Sequence, residues 1–67
     1  MITITVNGNA KPLGAPMSVQ QLLDALGLES VRVAVELNRA ILPKNRFADT
    51  PLKEGDSLEI VQFVGGG

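Results

Sequence analysis

The final eleven residues read Ser57-Leu58-Glu59-Ile60-Val61-Gln62-Phe63-Val64-Gly65-Gly66-Gly67. Leu58, Ile60, Val61, Phe63 and Val64 make Ser57 to Val64 a nearly continuous apolar strand. Strands of that kind usually lie inside a sheet, between neighbours. The rest of the chain must therefore supply the flanking strands and an element that covers a face.

Upstream of it, Glu54-Gly55-Asp56 is a turn, and Lys44 to Pro51 reads as a surface connection with Phe47 tucked beneath it. Ala40, Ile41 and Leu42 form a short strand closed by Pro43 and preceded by a turn at Asn38-Arg39. Val31, Val33, Val35 and Leu37 alternate with Arg32, Ala34 and Glu36, the period of a strand with one buried face. Ser18, with Gln21 three residues on, has the spacing of a capping box. Val19, Leu22, Leu23 and Leu26 then fall at i, i+3, i+4 and i+7, an apolar helical stripe opposite Gln20, Gln21 and Asp24. Gly27 is placed as the left-handed stop.

At the start, Ile2, Ile4 and Val6 alternate with Thr3, Thr5 and Asn7, and Asn7-Gly8 is a strong signal for a type I′ hairpin. A second strand over Asn9 to Leu13 follows, and Pro12, which cannot donate to a ladder, places it at a sheet edge. Hairpin, helix, two further strands and a returning central strand make an α+β chain of the ubiquitin-like β-grasp type. Its mixed sheet has four to five strands and one main helix packed on one face. Residues 1–64 are expected to form the domain and Gly65 to Gly67 a flexible glycine tail.

Sixty-seven residues suffice for one small domain. A chain of this size buries only about 60% of its unfolded surface. With 45% hydrophobic residues it can still pack an aliphatic core, and the expected stability is roughly 3 to 5 kcal/mol. The absences are more informative. Cys and His are both missing, which excludes disulfides, thiolate nucleophiles and cysteine-ligated clusters and removes the usual general base and the commonest metal ligand. No cofactor or metal site of its own is expected. Six Lys plus Arg against seven Asp plus Glu give a net charge of −1, far from the basic footprint of a nucleic-acid binder. Met1 to Val6 contain no basic leader, and no apolar run reaches the length of a membrane span. A cytoplasmic chain without nucleic-acid or membrane partners is the expectation.

Asp24, Glu29, Glu36, Asp49, Glu54, Asp56 and Glu59 are scattered over water-facing or turn positions and form no catalytic constellation. Arg39, Lys44 and Arg46 either dock an acidic partner or make up an ordinary solvated loop. Val61 and Phe63, with Val64, either pack in the core or present an apolar docking patch. Attention therefore falls on the glycines. When extended they reach about 10 Å, and without Cβ atoms they pass through a narrow cleft and adopt whatever backbone angles a partner imposes. The α-carboxylate of Gly67 is the remaining reactive group.

Glu36-Leu37-Asn38, Ile41-Leu42-Pro43, Leu52-Lys53-Glu54-Gly55-Asp56, Leu58-Glu59-Ile60-Val61 and Val64-Gly65-Gly66-Gly67, in this order and spacing, resemble the thiamine sulfur carriers called ThiS. The resemblance covers essentially the whole chain and implies the same β-grasp. It also implies a non-enzymatic role. A ThiF-like adenylating enzyme, using ATP and Mg, would activate the Gly67 carboxylate. A sulfur donor such as a cysteine desulfurase would convert it to a thiocarboxylate, and a ThiG-like thiazole synthase would accept the sulfur. Gly65 and Gly66 would thread into these partners, and Val61, Phe63 and Val64 would dock. Alternatives are a molybdopterin-type sulfur carrier and, in another class, a β-grasp module that binds noncovalently and needs no free terminus.

Overall fold

The structure is a computed structural model and describes residues 1–64; the glycine tail expected at 65–67 lies outside the described residues. Five strands, β1 (Ile2–Val6), β2 (Asn9–Leu13), β3 (Val33–Leu37), β4 (Ala40–Leu42) and β5 (Ser57–Gln62), form one sheet in the order β2-β1-β5-β3-β4. β5 is central, parallel to β1 and antiparallel to β3, while β2 and β4 are the edges. The helix α1 (Val19–Ala25) packs on one face. This is the β-grasp that the pattern of elements predicts.

Local chemistry sets each corner. Asn7 and Gly8 both have positive φ and close the β1–β2 hairpin as a type I′ turn requires. Pro12 sits in the edge strand opposite Thr3. The β3–β4 turn is of the same two-residue kind, with Asn38 and Arg39 at φ 52° and 72°. The capping box forms as its spacing predicts: Ser18 Oγ accepts from Gln21 N, and Gln21 Oε1 accepts from Ser18 N. Val19 N and Gln20 N donate to Thr50 O and Phe47 O, so the loop after β4 satisfies the helix's remaining first-turn donors. Seven residues make a helix too short to hold by itself, and this anchoring at its start together with burial of Val19, Leu22 and Leu23 holds it in place.

The core joins Ile4, Leu13, Val33, Val35, Phe47, Leu52 and Leu58 to those three helix residues. Phe47 is buried beneath its loop as the sequence suggests. Three expectations need correction. Leu26 is partly exposed, because the helix ends at Ala25 and Leu26 becomes its C-cap before Gly27 turns left-handed. Val31 is not in a strand: Ser30–Arg32 form a 3₁₀ turn, Arg32 N donating to Glu29 O, and the Val31 side chain points to solvent. The last strand ends at Gln62 rather than Val64, because β3, its remaining neighbour there, begins at Val33 opposite Gln62.

Asp56 occupies the turn that the sequence predicts, but its side chain does not face water. It is buried, accepting from Lys53 N at 2.8 Å and from Asn38 Nδ2 at 3.0 Å. Asn38 in turn accepts from Ser57 N through Oδ1 and donates its own N–H to Ser57 O. The carboxylate thus closes the turn before β5 and ties it to the β3–β4 turn, which explains a buried charged group in an aliphatic domain.

Candidate functional site

The strand that leads to the tail is held on both sides. Thr5 N and Asn7 N donate to Asp56 O and Leu58 O, each at 2.9 Å. Where β1 turns away, the Asn7 side chain continues its ladder: Oδ1 accepts from Ile60 N at 2.8 Å and Nδ2 donates to Ile60 O at 3.2 Å. A side-chain amide presents the same donor and acceptor as a peptide unit, so Asn7 serves as the last rung of a strand that has already reversed. On the other side β3 runs antiparallel from Leu37 to Val33, and Phe63 N donates to Arg32 O at 2.7 Å just beyond β5. The chain therefore leaves the sheet at Phe63 in a set direction. Beyond Ile60 the β1 side of this strand has no ladder partner among the described residues.

Side-chain alternation sorts the apolar run. Leu58 is buried and Ile60 is packed against the core, both on the helix face. Val61 lies on the opposite, uncovered face and is 58% exposed; Phe63, two residues on, is 56% exposed, and Val64 is almost fully exposed. The structure thus places all three docking candidates at the surface, Val61 in β5 and Phe63 and Val64 just beyond its end. Ala34, paired with Val61, and Ile41, paired with Glu36, share that uncovered face.

Two of the three basic candidates are engaged locally. Lys44 Nζ bends back to donate to Val33 O and sits 5.9 Å from the Phe47 ring centroid, and Arg46 pairs with Asp49. Among the described residues no group of three or more acidic side chains is arranged to hold a metal ion, and no helix is long and apolar enough to cross a membrane. Gly65, Gly66 and Gly67 lie outside the described residues.

A family model described as the ThiS family matches residues 4–67. The chain belongs to the ThiS family. ThiS proteins are sulfur carriers of thiamine biosynthesis, and the likeness extends to sequence and fold. The chain is 44% identical over 50 residues to the sulfur carrier protein ThiS of Bacillus subtilis, covering 75% of this chain and 76% of that one. It superposes on the crystal structure of the thiamine biosynthesis protein ThiS from Geobacter metallireducens with a TM-score of 0.83 at 39% identity, covering 98% of this chain and 100% of the other. A thiazole synthase of Paramagnetospirillum magneticum is 45% identical over 64 residues, which are 96% of this ThiS-family chain but only 20% of the longer protein.

Proposed function

We propose that this chain carries sulfur on the carboxylate of Gly67 for assembly of the thiazole ring of thiamine, acting in the cytoplasm as a co-substrate and not as a catalyst. The observation that carries this reading is the extent of the family match, which runs through the glycine tail to Gly67 itself. In the first step the carboxylate attacks the α-phosphorus of Mg-bound ATP within a ThiF-like adenylating enzyme, and pyrophosphate departs. This step is needed because a resonance-stabilised carboxylate is a poor electrophile until an anhydride supplies a leaving group. In the second, a sulfur nucleophile from a donor such as a cysteine desulfurase adds to the acyl carbon and AMP departs. When the donor is a persulfide, a thiol then cleaves the remaining S–S bond to free the thiocarboxylate.

A ThiG-like thiazole synthase is the proposed acceptor. In its support, relatives of this chain occur as one fifth of longer proteins named thiazole synthase. Gly65 and Gly66 thread the active sites, and Val61, Phe63 and Val64 seat the domain against the partner. ATP–pyrophosphate exchange by the adenylating enzyme tests the first step, since isotope should enter ATP only when the carrier is present. In the same assay Phe63→Ala should raise the KM for the carrier by about thirtyfold, the loss of one aromatic anchor. Its melting temperature should change little, because the ring is more than half exposed. The reverse ranking, a fallen melting temperature with an unchanged KM, would return Phe63 to the core.

A further inference from the structure

Asn7 serves two elements from one position. Its backbone, at φ 50°, opens the β1–β2 turn, while its side chain holds both backbone polar groups of Ile60. The turn does not require that side chain, since glycine takes the same left-handed angles without strain. Only β5 requires it. The β1–β5 register ends at Val6 opposite Leu58, and Asn7 N, donating to Leu58 O, closes the backbone ladder there. Among the described residues, the Asn7 amide is the one group that hydrogen-bonds β5 from the β1 side beyond Leu58. Without it, Glu59 to Phe63 would be paired on one side alone, to β3 and to Arg32 O. Asparagine meets both demands at once. Aspartate tolerates the turn and can accept from Ile60 N, but its carboxylate has no donor for Ile60 O.

We propose that Asn7 is a positioning residue for the terminal carboxylate: its amide extends the two-sided support of β5 to Ile60, so that the segment leading to Gly67 starts from a fixed base. This rests on the sulfur-carrier reading above. The support bears on the chemistry and not on docking, because Val61 and Phe63 keep Ala34 and Arg32 as partners when the amide is lost. What changes is the freedom of the strand itself. A segment held by fewer hydrogen bonds opens locally at a lower free energy. Each opening carries the carboxylate away from the α-phosphorus that it must attack, in a geometry where about 1 Å of error is costly. The complex with the adenylating enzyme still forms, but the carboxylate spends less of its lifetime in line for attack.

Two variants that keep the turn separate this role from the fold. Asn7→Gly removes the amide, and Asn7→Asp keeps an acceptor for Ile60 N while setting a carboxylate against Ile60 O. In ATP–pyrophosphate exchange with the adenylating enzyme of the same organism, each should lower kcat about tenfold. The KM for the carrier should stay within about twofold of wild type, the opposite split from Phe63→Ala. Amide hydrogen exchange in the free variants should quicken at Ile60 and Phe63 and stay unchanged at Val19, whose N–H donates to Thr50 O at the helix start. An unchanged kcat in folded variants, with the wild type active, overturns this inference and leaves the carrier reading standing. A raised KM at unchanged kcat does the same by making Asn7 a docking residue, and loss of cooperative melting in both variants does so by making it a residue of the fold. A wild-type chain that supports no exchange overturns both this inference and the carrier reading.

Discussion

Deletion of Gly67 is expected to abolish thiocarboxylate formation while leaving the melting transition within about 0.5 kcal/mol of the full chain. The expected loss is complete because the chain would then end on the carboxylate of Gly66, one residue short of the proposed acyl-adenylate position. A shift of one extended residue, about 3.5 Å, removes the reacting group from a site in which even about 1 Å of misplacement is costly. Stability is spared because the core ends within the domain: Leu58 is its last buried member and Ile60 packs against it. Mass spectrometry of the activation reaction, with circular dichroism melts of the same samples, separates the two effects. Loss of cooperative melting on truncation would show that the tail contributes to the fold.

Phe47→Ala has the opposite signature. Phe47 is among the largest fully buried side chains, and its carbonyl accepts from Gln20 N at the start of the helix. Truncating a buried Phe to Ala costs about 3 to 5 kcal/mol, which matches the roughly 3 to 5 kcal/mol expected for an entire domain of this size. The variant should be largely unfolded at room temperature, with collapsed amide dispersion in NMR spectra and no cooperative melt. A cooperative transition only a few degrees below that of the wild type would mean that the loop over the helix start closes the cavity by itself.

The fold was legible wherever side-chain chemistry acts over short sequence distances. Asn7-Gly8, the Ser18–Gln21 box and Gly27 each act within four residues, and each forms as expected. Contacts between distant positions were not legible. The Asn7 amide meets Ile60, 53 residues away, and Asp56 meets Asn38, 18 residues away, so neither role is visible before β5 is placed beside β1 and β3. The apolar run of β5 was ambiguous for a different reason. A continuous apolar strand is what burial on both faces produces, yet here the helix covers one face and Val61 is open on the other. The sequence therefore signalled a central strand correctly, while the exposure of Val61, Phe63 and Val64 depended on knowing that a single helix crosses the sheet. The role given to the glycine tail, by contrast, rests on the sequence alone, on the strand that runs into it and on the resemblance to the ThiS carriers, because Gly65 to Gly67 lie outside the described residues.

The central claim is that Gly67 is the sulfur-bearing residue, and the intact mass of the chain tests it most directly. The measurement follows incubation with ATP, magnesium, the adenylating enzyme of the same organism and a sulfide or persulfide source. A gain equal to the exchange of one oxygen for one sulfur, mapped to the peptide that ends in Gly65-Gly66-Gly67, is the predicted result. An unchanged mass, with that enzyme shown to be active on another ThiS carrier, would contradict it and point instead to a β-grasp that binds its partners noncovalently.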